Sequence, residues 1–334
     1  MTQLQHFGVI GGGAWGTALS MALLRAGRDV TLWARSAEVV DAINNTHENT
    51  VHLPTVALDE RLKATNDMTA LAACDAWLLV TPVQYTRGVC TQLEAIKASR
   101  NIPVVLCCKG IEMGTLKFPS TIVGEALGAH PLAVLSGPSF AIEVARDQPT
   151  AVTLACADQA LGMALCQAIG SRAFRPYYSA DLTGVQIGGA VKNVLAVATG
   201  IALGCGMGEN ARAALITRGL AEIMRLGAAL GATPETLMGL SGLGDLVLTC
   251  SSTQSRNMSL GVALGQGRKL ADILGERKSV AEGVPTTASA AALAQLKKVD
   301  MPIVMAVDAI LNQGANVADV IATLLARPIK VETA

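Results

Sequence analysis

The segment that most restricts the fold begins with the apolar run Phe7-Gly-Val-Ile10, passes through Gly11-Gly-Gly-Ala-Trp-Gly16 and continues into Thr17 to Arg25, which reads as a helix closed by Gly27. This is strand, G-x-G-x-x-G, helix, and each glycine has a physical task. Gly11 permits the tight turn, Gly13 lets a pyrophosphate approach the backbone, and Gly16 lets the helix pack on the strand, with the helix N-terminus facing the phosphates. The spacing alone is weak in a chain with 33 glycines. Flanked by a strand and a helix, it predicts dinucleotide binding.

The next strand is Asp29 to Trp33, and about twenty residues past the motif, where an acid would bind the ribose 2′-hydroxyl, stands Arg35. An arginine there attracts a 2′-phosphate, so NADP(H) is expected to be accepted or preferred over NAD(H). Further apolar strands end in turn-forming triplets: 77–80 before Thr-Pro-Val83, 103–107 before Cys-Lys-Gly110, and 132–136 before Gly-Pro-Ser139. Ligands of an open parallel sheet sit at such ends, which puts Lys109, Gly137 and Ser139 on the rim of a cleft. Segments 151–155 and 174–178 extend the sheet, with a helix over 158–169 between them.

After about residue 180 the strand signals stop. Helices are expected at 186–204, 209–230, 234–240, 255–266, 269–274, 286–297, 303–312 and 317–326, with Asn316 as an N-cap and Gly231, Gly267 and Gly314 as stops. The expected architecture is a Rossmann-type doubly wound parallel sheet over 1–183, followed by an all-helical substrate domain over 184–334. The segment 186–204 is apolar nearly all round and so reads as buried. Its glycines (188, 189, 200 and 204) each weaken a helix by roughly 1 kcal/mol against Ala, which points to close approach of another backbone or a ligand. Lys192 and Asn193 then project from a rigid central helix into the cleft. Two further segments read as loops there: 240–245, glycine-dense and ending in Asp245, and Ser255-Arg256-Asn257, which opens a helix and offers an anion site. Two cations, a carboxylate and amide or hydroxyl donors suit a small phosphorylated polyol or keto compound.

Balanced charge, 26 Lys and Arg against 26 Asp and Glu, gives no net field for nucleic acid or an anionic membrane. The apolar run 194–208 is shorter than the roughly 18 residues needed to cross a bilayer. The N-terminus has no basic segment leading into an apolar one, and the eight cysteines show no C-x-x-C pair, so a cytoplasmic chain with reduced thiols and no metal is expected. Reducing a ketone requires hydride delivery and a proton for the developing alkoxide. The four histidines lie at 6, 47, 52 and 130, away from the strand-end triplets, which leaves a desolvated Lys192 near Lys109 as the acid. A β-hydroxyacid or 6-phosphogluconate type of dehydrogenase uses a comparable helix Lys and Asn, and a non-catalytic NADP sensor would keep the nucleotide motif alone; both stay open at this point.

Five blocks carry a resemblance: Gly-Gly-Gly-Ala-Trp-Gly-Thr-Ala-Leu at 11–19, Leu-Ser-Gly-Pro-Ser-Phe-Ala at 135–141, Gly-Gly-Ala-Val-Lys-Asn at 188–193, Gly-Leu-Gly-Asp-Leu-Val-Leu-Thr-Cys at 242–250 and Gln-Ser-Arg-Asn at 254–257. Along essentially its whole length the chain resembles the bacterial NAD(P)-dependent glycerol-3-phosphate dehydrogenases. The resemblance implies a usually dimeric enzyme interconverting dihydroxyacetone phosphate and sn-glycerol 3-phosphate for the phospholipid backbone, with Lys192 as acid/base. It implies substrate contacts from Lys109, Gly137, Ser139, Asn193, Asp245, Ser255, Arg256 and Asn257, and cofactor contacts from Trp15, Arg35, Lys109, Ala141, Arg256, Val280 and Glu282. Ala14 stands where many relatives have serine, so a phosphate contact there falls to its backbone N–H.

Overall fold

The computed structural model describes residues 4–96, 101–276, 282–329 and 331. Eight strands, β1 (His6–Ile10), β2 (Asp29–Trp33), β3 (Lys63–Thr65), β4 (Ala76–Leu79), β5 (Val104–Leu106), β6 (Leu132–Ser136), β7 (Thr150–Cys156) and β8 (Phe174–Ser179), form one sheet in the order β3-β2-β1-β4-β5-β6-β7-β8. The helices between them are α1 (Ala14–Arg25), α2 (Ala37–Thr46), α3 (Val83–Glu94), α4 (Pro119–Leu127), α5 (Ala141–Ala145) and α6 (Gln159–Ile169). Strands buried on both faces alternate between two cores. Phe7, Val9, Ala76, Leu78 and Val105 join the core under α1, whereas Ile10, Trp77, Leu79, Val104 and Leu106 join the one under α3 and α4.

The sheet is mostly parallel, as expected: every strand pair is parallel except β6–β7, where β7 runs antiparallel to β6, and β8 is again parallel to β7. The β6–β7 connection contains only the five-residue helix α5, too little to carry the chain across a face and back. The β7–β8 connection contains the eleven-residue α6, and there the crossover is made.

The second half is helical: α7 (Leu182–Gly204), α8 (Glu209–Leu230), α9 (Pro234–Met238), α10 (Asp245–Ser251), α11 (Arg256–Gly265), α12 (Leu270–Gly275), α13 (Gly283–Leu296), α14 (Pro302–Asn312) and α15 (Val317–Leu325). Helix α13 opens three residues before its expected start because Pro285 is tolerated in a first turn, where no backbone donor is lost to the ladder. Asn316 caps α15 by accepting from the N–H groups of Ala318 (2.8 Å) and Asp319 (3.4 Å), and Gly231, Gly267 and Gly314 all have positive φ at helix ends.

Helix α7 is the axis of this half. By length and composition it is apolar enough to span a membrane, yet 89% of that window is buried inside the protein, so it is a core helix. Helix α11 lies against it along a seam of paired glycines. A Cβ on Gly200 would stand 2.2 Å from the Met258 carbonyl oxygen, and one on Gly261 2.2 Å from that of Val197; Gly204 and Gly265 repeat the arrangement one turn on. These glycines weaken each helix but bring the two backbones together, which sets where the start of α11 sits relative to Lys192.

Candidate functional site

At the sheet end the glycine loop is built as its spacing predicts. Gly11 has φ +132°, and a Cβ on Gly16 would lie 1.9 Å from the Gly11 oxygen, so the helix comes down on the loop itself. A Cβ on Gly13 would meet nothing within 4 Å, which is open room in front of α1. Gly12, not singled out by the motif, is equally constrained: its Cβ would be 2.5 Å from that of Ala34. Gly13 is the N-cap of α1 and makes no side-chain cap, and Ala14 opens the helix. Nearby, Trp15 Nε1 and Thr81 Oγ1 are buried polar atoms with no protein partner. An uncapped helix start, open space before it and unpaired donors fit a dinucleotide pyrophosphate. Arg35 is exposed just past β2, and Ala141 opens α5.

The catalytic candidates converge where the two halves meet. Lys192 is 7% exposed and Asp245 1%. Lys192 Nζ donates to one oxygen of Asp245 and to Thr249 Oγ1 at 2.9 Å, while Thr249 Oγ1 donates to the Asp245 carbonyl at 2.6 Å. From the sheet side, Lys109 Nζ donates to the other Asp245 oxygen (2.7 Å) and to the Gly137 carbonyl (3.2 Å). One buried carboxylate is thus shared by two ammonium groups, leaving a net positive site. Burial pulls the Lys192 pKa down to about 8; Asp245 opposes that shift and Lys109 adds to it.

Glycines make this meeting possible. A Cβ on Gly189 would be 2.8 Å from Ser136 Oγ and 3.4 Å from Lys109 Cγ, so α7 leaves a path for the Lys109 chain. A Cβ on Gly188 would be 2.4 Å from the Ser241 oxygen, where segment 240–245 presses on α7. That segment is not the expected loop. Leu240–Gly244 is a π-helical turn running directly into α10, with Gly242 packed so closely that a Cβ would lie 1.9 Å from the Leu237 oxygen. Thr249 therefore falls one turn past Asp245, on the same helix face. Sequence reasoning missed it; the i, i+4 spacing is the signal, visible only once 240–249 is read as helical.

The remaining site residues divide by what they touch. Ser139 Oγ donates to the Gly137 carbonyl at 3.0 Å, and Gly137, at φ +149°, sits so close to Val152 that a Cβ would lie 2.9 Å from its Cα. Asn257 Nδ2 donates to Asn193 Oδ1 (3.0 Å), and Asn257 Oδ1 accepts from the Gly283 N–H (3.1 Å). The two amides thus lock α7, α11 and α13 together. Ser255 caps α11, accepting from the Met258 N–H at 3.2 Å. Arg256 is exposed at the start of α11; its charge helps pull the His52 pKa down, behind burial, and favours the ionised form of Glu282. Glu282 accepts from the Val83 N–H at 3.1 Å, and burial pushes its carboxyl up to about 7. Val280 lies outside the described residues. Among the described residues no cluster of His, Cys, Asp or Glu is arranged to hold a metal.

Comparison with known proteins agrees with this architecture across both halves. Residues 6–162 match the model of the NAD-dependent glycerol-3-phosphate dehydrogenase N-terminus, and residues 181–322 that of its C-terminus. The chain is 57% identical over 330 residues to a glycerol-3-phosphate dehydrogenase [NAD(P)+] of Rhodospirillum rubrum, covering 98% of this chain and 94% of that one. It is 54% identical over 336 residues to that of Maricaulis maris, covering 100% of both. The crystal structure of glycerol-3-phosphate dehydrogenase from Coxiella burnetii superposes with a TM-score of 0.92 at 38% identity, covering 97% of this chain and 99% of that one.

Proposed function

Since the chain belongs to the NAD-dependent glycerol-3-phosphate dehydrogenase family, we propose that it interconverts dihydroxyacetone phosphate and sn-glycerol 3-phosphate with NAD(P)H, and that Lys192 is the acid of reduction and the base of oxidation. The observation that carries this is the buried Lys192–Asp245–Lys109 cluster, where the sheet half meets the helical half. A bound reduced nicotinamide supplies the hydride. Lys192, held by Asp245 and Thr249, donates its proton to the ketone oxygen as charge develops there, and its lowered pKa makes that proton easier to release than an ordinary lysine's. Asp245 keeps the ammonium aimed, and Lys109 adds positive charge beside the forming alkoxide. Arg256, at the start of α11 with the first amides of that helix, receives the phosphate. Asn193 and Asn257 hold that helix start against α7, and Gly137, Ser139 and Ser255 complete the rim.

On the cofactor side, the pyrophosphate lies against Gly11, Gly13, Gly16 and the N–H groups at Ala14 and Trp15, the 2′-phosphate against Arg35, and Ala141, Val280 and Glu282 make further contacts. The two domains divide at 183/184, in the first turn of α7, after β8 has ended at Ser179. The enzyme works as a homodimer, as is usual for the family, in a cytoplasmic setting, which eight cysteines present as free thiols support.

The test follows nicotinamide absorbance with dihydroxyacetone phosphate and each cofactor. The parent is expected to turn over. Lys192→Ala is expected to bind NADPH with unchanged affinity by fluorescence while losing about a thousandfold in kcat. Reduction, which needs the protonated lysine, is expected to decline as pH rises through about 8, and oxidation to rise through the same value. Turnover of the variant within a few-fold of the parent would make Lys192 structural, and a parent that reduces β-keto acids instead would reassign the substrate.

A further inference from the structure

One buried side chain outside the glycine motif, and outside every substrate or cofactor contact assigned above, is hydrogen-bonded to the loop. Asn49 is fully buried, in the turn that follows α2. Its Nδ2 donates to the Gly12 carbonyl at 2.9 Å and to Thr17 Oγ1 at 2.8 Å, and its Oδ1 accepts from the His52 N–H at 3.1 Å. Its own carbonyl accepts from the Leu53 N–H at 2.8 Å, which closes the turn over the loop. Thr17 passes the connection on: its Oγ1 donates to the Gly13 carbonyl at 3.0 Å, alongside its own N–H at 3.0 Å.

In a trans peptide the C=O and the next N–H point in opposite directions, so a carbonyl pinned inward turns its partner N–H outward. Pinning Gly12 O aims the Gly13 N–H, and pinning Gly13 O aims the Ala14 N–H, both toward the open space in front of α1. Glycine flanked by glycine has no steric reason to hold one peptide orientation. The hydrogen bonds from Asn49 and Thr17 supply it.

We propose that Asn49 is a positioning residue for the dinucleotide: through Gly12 and Thr17 it presets the two loop N–H groups that receive the pyrophosphate. This rests on the cofactor reading of the loop given above. Since both cofactors carry the same pyrophosphate, the effect must be blind to the 2′-phosphate, which separates it from Arg35.

The experiment measures Kd for NADH and NADPH by fluorescence, steady-state kinetics and thermal melting on Asn49→Ala, Thr17→Val and Thr17→Ser. Asn49→Ala is expected to raise both Kd values by about tenfold with their ratio unchanged, while kcat at saturating cofactor and KM for dihydroxyacetone phosphate stay within twofold. Thr17→Val keeps shape but loses the hydroxyl, and is expected to raise both by about threefold; Thr17→Ser is expected to restore parental affinity. If Asn49→Ala does not fold, the Thr17 pair decides. Parental Kd values in the variants, or a loss for NADPH alone, would overturn the inference. A parent that binds neither dinucleotide would instead overturn the cofactor reading beneath it.

Discussion

The two halves of the molecule use the same residue for opposite ends. In the nucleotide half, Gly13 keeps space empty: a side chain there would touch nothing, and its φ of −75° suits any residue. In the helical half, Gly200, Gly204, Gly261 and Gly265 remove space, letting α7 and α11 approach until each Cβ would meet a carbonyl oxygen within 2.2 to 2.3 Å. The first kind of glycine leaves room in front of a helix start, and the second brings two helices together. The polar groups differ in the same sense. The loop begins α1 with no side-chain cap, whereas Lys192 and Asp245 are buried charges held by each other and by helix packing. In the proposed function, binding in one half rests on what is left open, and chemistry in the other on what is closed.

Substitutions at the two kinds of glycine are expected to have opposite effects. Gly261→Ala has the largest expected effect. Ala gains roughly 1 kcal/mol of helix propensity, but its methyl drives into backbone that cannot yield without separating the helices, at a cost of several times that. Net destabilisation of about 2–4 kcal/mol is expected, read as a fall in the urea midpoint, with kcat falling as Arg256 shifts from Lys192. An unchanged midpoint would mean that the seam has slack. Gly13→Ala is expected to give the reverse pattern: a melting temperature within about two degrees of the parent, and Kd for both cofactors raised by at least tenfold as the methyl takes pyrophosphate room. A large loss of stability there would erase the distinction between the halves. Arg35→Asp gives the smallest and most selective change. It is expected to weaken NADPH by about tenfold relative to NADH, as attraction to the 2′-phosphate becomes repulsion, with stability untouched because Arg35 is exposed. Equal losses for both cofactors would move Arg35 from specificity to support.

Much of this was legible in the chain because it depends on local pattern. The run from His6 to Arg25 declares strand, turn and helix through apolar spacing and glycine positions, and segment 186–204 declares burial by being apolar on every side. The lysine on that segment announces itself because an ammonium among such neighbours needs a partner. What was misread depends on partners distant in sequence. Segment 240–245 looks like a loop because three of its features, Ser241, Gly242 and Gly244, are loop-favouring; it is helical because α7 presents Gly188 to it and tertiary packing overrides propensity. The direction of β7 is left open by the sequence, because periodicity carries none; in the structure it runs antiparallel to β6 across the short α5.

The sequence by itself determined the two-part plan, the nucleotide loop and the identity of the buried lysine, since each follows from residue type and spacing within twenty or so residues. Only the tertiary structure decided that one carboxylate, Asp245, is shared by Lys109 and Lys192, that Thr249 joins them, and that Asn49 holds Gly12 from 37 residues away. Those relations join groups across 37 to 136 positions of chain. A hydrogen bond acts over about 3 Å of space, and separation along the chain does not specify it until packing has brought the groups together.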